Sequence, residues 1–195
     1  MGLLGRRLRT CGFDVFRFPY ASRRILIAEN ARRLKEFIDL IPGESAHFVA
    51  HSLGGRVVMR LFQDFPDVKP GRFVALGTPF LGSQVAVRLS ASIAGRWLLG
   101  AGGRDGLLGP VSDIRPSREI GVIAGTSPFG VGRLICSLTG PSDGTVGVAE
   151  TRLPGVTECR EVNTTHTGLL FSADVAARIC CFLQTGYFDR RARGA

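Results

Sequence analysis

The chain has 195 residues, of which 45% are hydrophobic, and it carries a formal net charge of +9. This length and composition suit one globular domain with a sizeable core, and they exclude a disordered chain. No run of about 18 apolar residues predicts a membrane-spanning helix, and the first residues lack the apolar stretch and cleavage site of a signal peptide. The positive charge allows peripheral contact with a membrane. No nucleic-acid motif accompanies it, so we expect no nucleic-acid partner.

The five cysteines are Cys11, Cys136, Cys159, Cys180 and Cys181. Their odd number and irregular spacing do not suggest a disulfide framework, and no C-x-x-C pair or histidine at ligand spacing predicts a metal site. We therefore expect buried, reduced thiols, no metal and a cytoplasmic location. No glycine-rich segment combines a preceding strand with the G-K-[ST] ending of a phosphate loop, so no cofactor is expected.

The first elements in chain order are a predicted helix over residues 1–8 and a predicted strand over residues 11–18. A second helix follows, because apolar residues recur on one of its faces. These residues are Ile27, Ala31, Leu34 and Ile38. The Pro42-Gly43 pair ends this helix.

The next segment is a strand-like apolar run, Ala46 to Ala50, that leads to Ser52 and then to a helical pattern. This order is typical of a nucleophile elbow, a tight strand-to-helix turn that lifts a serine hydroxyl above a sheet. The turn accepts only small residues two positions before and after the serine, and Ala50 and Gly54 meet that requirement. The alternative is an ordinary S-x-G turn of an α/β protein. The strand before and the helix after favour the elbow.

The helix after Ser52 is predicted to be amphipathic, with an apolar face and a polar face. The predicted inward residues are Val57, Val58, Leu61, Phe62 and Phe65. The predicted outward residues are Arg56, Arg60, Gln63 and Asp64.

A serine nucleophile requires a base to accept its proton and an acid to orient that base. Of the three histidines, His166 is the candidate base, because it lies in a polar segment between a predicted strand and the last helix. His51 is expected to point away from the serine and to serve in packing or hydrogen bonding. The candidate acid is Asp143, on a turn-rich loop, and Asp113 is the alternative. An exposed loop histidine and a plain turn aspartate are the simpler interpretations of His166 and Asp143.

Further strands are predicted over residues 72–76, 119–125 and 156–162, and a closing helix over 173–183. Alternating strands and helices predict a mostly parallel sheet with helices on both faces. Active sites in such sheets lie at the carboxyl ends of the strands, where Ser52, Asp143 and His166 would converge. Residues 84–118 interrupt the alternation. They predict either a cap over the site or an ordinary surface helix and loop.

Four segments together resemble the lipase/esterase-type α/β-hydrolases, of the bacterial triacylglycerol-lipase kind. They are residues 50–55 (AHSLGG), 76–83 (LGTPFLGS), 142–146 (SDGTV) and 166–170 (HTGLL). The resemblance implies one α/β-hydrolase domain over residues 1–195, with a cap insertion at about 84–118.

The resemblance also implies roles for single residues. Ser52 would be the nucleophile, Asp143 the acid and His166 the base of a catalytic triad. The Leu53 N–H would stabilise the oxyanion. Residues expected to contact the substrate are Thr78, Pro79 and Phe80. The implied reaction is hydrolysis of a small-molecule or lipid carboxylic ester through an acyl-enzyme intermediate.

The chain departs from this family at its start. Such hydrolases open with an apolar strand that ends in a His-Gly-type loop, and this loop supplies the second oxyanion N–H. No such segment precedes residues 11–18, so an N-terminally truncated version of the fold is expected. Loss of one oxyanion donor typically lowers turnover by about 10²–10³. The alternative function is therefore a catalytically weak or inactive α/β-hydrolase-fold protein that acts in binding.

Overall fold

The computed structural model describes residues 1–111, 118–130, 132–135 and 137–189, with backbone alone for 133 and 134. The helices in these residues are α1 (Gly2–Thr10), α2 (Ile27–Asp39), α3 (Leu53–Asp64), α4 (Gln84–Ser90), α5 (Ile93–Leu107), α6 (Gly132–Ile135) and α7 (Ala173–Thr185). The strands are β1 (Phe48–His51), β2 (Phe73–Leu76), β3 (Ile120–Gly125) and β4 (Glu158–Val162). Two short 3-10 helices cover Val148–Thr151 and Gly168–Leu170.

The four strands form one parallel sheet in the order β1-β2-β3-β4. In its register, Phe48 pairs with Phe73, and Phe73 pairs with Ile120. Every residue of the inner strands β2 and β3 is buried. This is the burial that a parallel strand shows when helices cover both faces of its sheet.

Helices do cover both faces. On one face α2 and α3 pack against the sheet through a core that includes Ala31, Leu61 and Phe73. On the other face α1 and α7 pack against it through a core that includes Leu4 and Ile179. The predicted α/β class, a mostly parallel sheet between two helical layers, is confirmed.

The predicted strand over residues 11–18 is wrong. This segment has no regular secondary structure, although the Phe13 ring meets the His47 ring edge-on with centroids 5.8 Å apart. A strand exists only when a neighbouring strand completes its hydrogen-bond ladder. Among the described residues, none pairs with β1 on the side away from β2, so residues 11–18 have no ladder to join.

Within the described residues, strand β1 therefore has an edge without a pairing strand. The Phe48 N–H donates to the Arg72 carbonyl (2.8 Å) and the Ser52 N–H donates to the Leu76 carbonyl (2.9 Å). Alternate residues of a strand direct their backbone groups to opposite edges. The N–H and C=O groups of Val49 and His51 consequently point away from β2.

The predicted cap region is largely helical. Helices α4 and α5 occupy residues 84–107, and α5 is interrupted at Gly100, which has a φ of 67° and a ψ of −172°. Asp113, the alternative acid, lies outside the described residues. No helix in the described part of the chain has the length and apolar character that crossing a bilayer requires.

The expectation of reduced thiols is wrong for two of the cysteines. Cys11 and Cys180 form a disulfide, with their Cα atoms 6.2 Å apart. This bond joins the residue after α1 to α7, and a hydrogen bond from Gln184 to the Cys11 carbonyl (3.2 Å) accompanies it. Cys159 and Cys181 are free, and Cys136 lies outside the described residues. The number and spacing of the cysteines could not predict this pair, because its two members are 169 positions apart in the sequence.

Candidate active site

Ser52 occupies a strained turn between β1 and α3. Its φ is 54° and its ψ is −128°, and it is the single non-glycine residue with positive φ in the described ranges. Such a conformation costs about 1–3 kcal/mol and persists only where the surroundings impose it. The Ser52 side chain makes no capping hydrogen bond to α3, so the hydroxyl is not used in stabilising the helix.

The elbow brings α3 very close to the segment after β2. A methyl group added to Gly55 would lie 2.1 Å from the Thr78 hydroxyl oxygen. The same hydroxyl donates a hydrogen bond to the Ser52 carbonyl (3.0 Å). Glycine at position 55 is therefore a condition for the elbow to form.

Asp143 and His166 form the strongest polar pair of the site. The His166 Nδ1 lies 2.7 Å from the Asp143 Oδ2. The other carboxylate oxygen, Oδ1, accepts the N–H groups of Thr145 (3.0 Å) and Val146 (2.7 Å). Because Asp143 is only 1% exposed and Oδ1 is held by the backbone, the carboxylate keeps Oδ2 directed at the imidazole.

Gly77 places this pair at the same edge of the sheet as Ser52. It directly follows Leu76, whose carbonyl accepts the Ser52 N–H. A methyl group at Gly77 would lie 3.0 Å from Asp143 Oδ2 and 3.1 Å from His166 Nδ1. The φ of Gly77 is 51°, a region that favours glycine. The Asp143 carboxylate, the His166 imidazole and the Ser52 turn therefore lie at the same edge of the sheet, at the carboxyl ends of β1 and β2.

His51 holds the other side of His166. Its Nε2 lies 2.9 Å from the His166 carbonyl oxygen, and the two rings are 4.4 Å apart. Burial, and secondarily repulsion by His166, lower the pKa of His51 to about 4. A neutral His51 with its proton on Nε2 can donate to that carbonyl, which agrees with the hydrogen-bonding role expected for it.

A pocket of about 240 Å³ opens beside Ser52. Its walls are mostly apolar and come from α4, α5 and the loop that follows Asp143. The main lining residues besides Ser52 are Pro79, Val85, Leu89, Leu99, Leu107 and Val146. A wall that is mostly apolar suits the hydrocarbon part of a ligand better than a charged part.

The three residues expected to contact substrate lie in different places. Pro79 lines the pocket. Thr78 is fully buried and bonded to the elbow, and Phe80 is fully buried in the core. Leu53 begins α3, so its N–H belongs to the first helical turn, where backbone donors have no partner within the helix.

The placement of Arg56 on the polar face of α3 is wrong. Arg56 is buried and donates to the carbonyls of Pro79 and Phe80, both at 2.9 Å, and of Gly109 at 2.7 Å. Burial lowers its pKa to about 10. The pattern of polar and apolar residues along α3 could not predict this burial, because it depends on hydrogen bonds to three carbonyls that are distant in sequence. Arg56 thus braces the loop that carries Pro79.

No group of three metal-ligating side chains occurs in the ranges that the structure covers. Comparisons with protein-family models and with curated proteins give no match. Solved structures do match. The Bacillus licheniformis lipase BlEst2 in its mature form is 19% identical with a TM-score of 0.69, over 93% of this chain and 82% of that one.

Its propeptide form is 20% identical with a TM-score of 0.70, and this chain spans about half of it: 97% of this chain aligns with 47% of that one. An alpha/beta hydrolase fold protein from Chitinophaga pinensis is 12% identical with a TM-score of 0.57, over 85% and 74% of the two chains. The chain therefore has the α/β-hydrolase fold, of the type found in lipases.

Proposed function

We propose that this chain is a serine hydrolase that cleaves carboxylic esters. The observation that carries the proposal is the 2.7 Å contact between Asp143 and His166, positioned by Gly77 at the sheet edge where Ser52 forms a strained elbow. Nucleophilic acyl transfer requires an oriented imidazole and a serine hydroxyl that it can reach. His166 and Ser52 lie at the same sheet edge, and the Ser52 hydroxyl makes no capping bond to α3. The similarity to the solved lipase structures supports the same reaction class.

In the proposed reaction, Ser52 Oγ attacks the ester carbonyl carbon while His166 Nε2 accepts the hydroxyl proton. The Leu53 N–H stabilises the negative oxygen of the tetrahedral intermediate. His166 then returns the proton to the departing alcohol oxygen, which leaves an acyl group on Ser52. In the second half-reaction His166 takes a proton from water, whose oxygen attacks the acyl carbon. The bond from that carbon to Ser52 Oγ then breaks, the carboxylic acid leaves, and His166 returns the proton to Oγ. Asp143 stabilises the imidazolium form through Nδ1 in both half-reactions.

The pocket lining bears on the acyl part of the substrate. The pocket of about 240 Å³ is lined mostly by apolar side chains. We therefore infer an apolar acyl chain. A small-molecule ester or a lipid ester with such a chain fits this pocket.

The test combines ester hydrolysis with covalent labelling. Purified protein is assayed on p-nitrophenyl butyrate and labelled with a fluorophosphonate probe, beside Ser52→Ala, His166→Ala and the control Ser127→Ala. We expect hydrolysis and labelling in the wild type and the control, and loss of both in Ser52→Ala. Labelling that persists in Ser52→Ala would reject Ser52 as the nucleophile.

A second function, a weak or inactive hydrolase that serves in binding, is favoured by one observation. Among the described residues, the Leu53 N–H at the start of α3 is the one oxyanion donor that can be assigned. In that case the fluorophosphonate would label Ser52 slowly or not at all. An ester analogue that resists hydrolysis would still bind, as titration calorimetry would show.

A cytoplasmic location stays a prediction from the sequence alone. The Cys11–Cys180 disulfide supports instead a location in an oxidising compartment, because cytosolic thiols are normally kept reduced. The free-thiol content of protein purified without reductant distinguishes the two.

A further inference from the structure

Helix α5 exposes three large apolar side chains, whereas its Leu99 and Leu107 line the pocket beside Ser52. The residues that it buries are all glycine: Gly95, Gly102, Gly103 and Gly106. Ile93, Trp97 and Leu98 are 81%, 74% and 51% exposed. Ile93 and Trp97 lie four positions apart and therefore share one side of the helix. A surface helix that packs only against the core would bury apolar residues of this size.

Close backbone contacts fix this orientation. A methyl group at Gly95 would lie 2.0 Å from the Leu89 carbonyl oxygen, and one at Gly102 would lie 2.3 Å from the Ser22 carbonyl oxygen. The glycine side of α5 therefore has no room for a larger residue. Ile93 and Trp97 cannot turn inward without displacing the backbone beneath them.

Three exposed arginines accompany the apolar residues: Arg23, Arg88 and Arg96. The Arg23 guanidinium lies 4.9 Å from the centre of the Trp97 ring and donates to the Trp97 carbonyl (3.2 Å). Arg96 donates to the Ser90 carbonyl at the end of α4 (3.0 Å). In the part of the chain that the structure covers, none of the three forms an ion pair. Residues 84–104 contain no aspartate or glutamate.

The α4–α5 outer surface is defined by Arg23, Arg88, Ile93, Arg96, Trp97 and Leu98. The same two helices contribute Leu89 and Leu99 to the pocket beside Ser52. One side of the helix pair thus lines the candidate site while the other presents apolar groups flanked by unpaired positive charge.

We propose that the α4–α5 outer surface docks on the surface of an anionic lipid bilayer. Trp97, Ile93 and Leu98 would enter the headgroup region, where an indole ring is particularly favourable. The arginines would bind headgroup phosphates. The location gives the proposed ester hydrolase access to lipid esters, so the purpose of docking rests on the proposed function, whereas the binding itself does not.

A second copy of the chain is a poorer occupant of this surface. In a two-fold dimer the same patch meets itself. Each Arg23, Arg88 and Arg96 would then face another cationic patch with no acidic residue between 84 and 104 to compensate. Anionic headgroups neutralise the arginines and accept the apolar side chains at the same time.

The experiment uses the fluorescence of Trp97, which is the only tryptophan of the chain. Full-length protein is titrated with vesicles of phosphatidylcholine alone and with vesicles containing phosphatidylglycerol, and binding is also measured by co-sedimentation. We expect a blue shift and co-sedimentation with the anionic vesicles, weakened by high salt. Arg88→Ala/Arg96→Ala should bind them about 30-fold more weakly, from about fivefold per arginine. Ile93→Asp should abolish the blue shift.

Matched controls separate surface location from overall charge and hydrophobicity. Arg6→Ala/Arg17→Ala removes the same charge from exposed arginines elsewhere, and Leu40→Asp replaces an apolar residue that is also highly exposed. Both should bind as the wild type does. An unchanged Trp97 emission with anionic vesicles would overturn the proposal, and so would equal losses of vesicle binding in the control variants. A blue shift that depends on protein concentration in the absence of lipid would indicate a dimer and would also overturn it.

Activity on soluble p-nitrophenyl butyrate is recorded for every variant. Wild-type turnover with no vesicle binding would reject the docking surface and leave the proposed hydrolase intact. Vesicle binding without turnover would reject the proposed hydrolase and leave the docking surface intact.

Discussion

The Nε2 of His51 lies 2.9 Å from the backbone carbonyl oxygen of His166. The residue before the candidate nucleophile thus holds the backbone of the candidate base, while Asp143 holds its ring at Nδ1. Two contacts on different parts of His166 restrict both its position and its rotation. We infer that His51 is a positioning residue, which acts on the reaction through His166 rather than through the substrate.

His51 should make stability depend on pH. Its pKa is about 4 in the folded chain and about 6.5 when exposed. Between these values the unfolded chain binds a proton at His51 that the folded chain does not. The contribution of the neutral His51 to the free energy of unfolding is therefore complete above about pH 6.5 and is lost as the pH falls toward 4. The free energy of unfolding, measured with urea across this range, should depend less on pH when His51→Asn is added to a His47→Asn parent than in that parent alone.

The parent for this comparison is His47→Asn. Burial, and then the charge of Arg72, lower the pKa of His47 as well, and its removal isolates the effect of His51. If the free energy of unfolding depends on pH in the same way with and without His51, then protonation of His51 does not contribute to the pH dependence of stability.

Gly77→Ala should damage activity more than its effect on folding explains. The added methyl group would lie 3.0 Å from Asp143 Oδ2 and 3.1 Å from His166 Nδ1, and it would displace both. A misplacement near 1 Å can lower turnover by about 10². The positive φ adds a loss of stability of about 1–2 kcal/mol. The measurements are kcat on p-nitrophenyl butyrate and the midpoint of urea unfolding.

Gly43→Ala is the matched control. Gly43 has a φ of 94°, and a methyl group there would meet no atom within 4 Å. It should lose similar stability and keep its kcat. Equal losses of kcat in the two variants would mean that the Gly77 effect comes from folding rather than from the Asp143–His166 pair.

Asp143→Asn should lower kcat by roughly 10³–10⁴, because an amide keeps the shape of the carboxylate but cannot stabilise the imidazolium or hold the correct tautomer. The substitution leaves an acceptor for the N–H groups of Thr145 and Val146, so folding should change little. Kinetics on p-nitrophenyl butyrate provide the measurement. Asp113→Asn, at the alternative acid, should keep wild-type kcat, and a large loss there with none in Asp143→Asn would assign the acid to Asp113.

Local patterns account for most of what the sequence predicts of the fold. The spacing of Ile27, Ala31, Leu34 and Ile38 predicts α2 with the right face buried, because a helix is determined by contacts three and four residues apart. Strands β2 and β3 fall within the segments predicted for them, since apolar runs between turn residues indicate buried strands. Strand β4 falls within the segment 156–162, for which a weak alternation of apolar and polar residues predicts a strand. Residues 11–18 carry the same local signal and form no strand, because pairing depends on a neighbour distant in sequence.

The site shows the same division. The small residues that flank Ser52 are enough to predict the elbow. The choice of Asp143 over Asp113, in contrast, depends on the resemblance to known hydrolases. The helical pattern of α3 predicts Arg56 on the polar face, but its hydrogen-bond partners come from the loop after β2 and from Gly109. Tertiary partners, and not local pattern, determine the positions of such side chains.

The Cys11–Cys180 disulfide should stabilise the fold strongly. It joins residues 169 positions apart, and on the chain-entropy model a loop of this length gives about 5 kcal/mol, although measured losses range over about 2–5 kcal/mol. Cys11→Ser, and dithiothreitol treatment of the wild type, should both lower the midpoint of urea unfolding. The control Cys159→Ser removes an exposed free thiol and should unfold as the wild type does. The two effects should not add, because reductant has no bond to break in Cys11→Ser. A wild-type midpoint that is unaffected by reductant would show that Cys11 and Cys180 do not contribute a bond to stability, and the case for an oxidising compartment would fall with it.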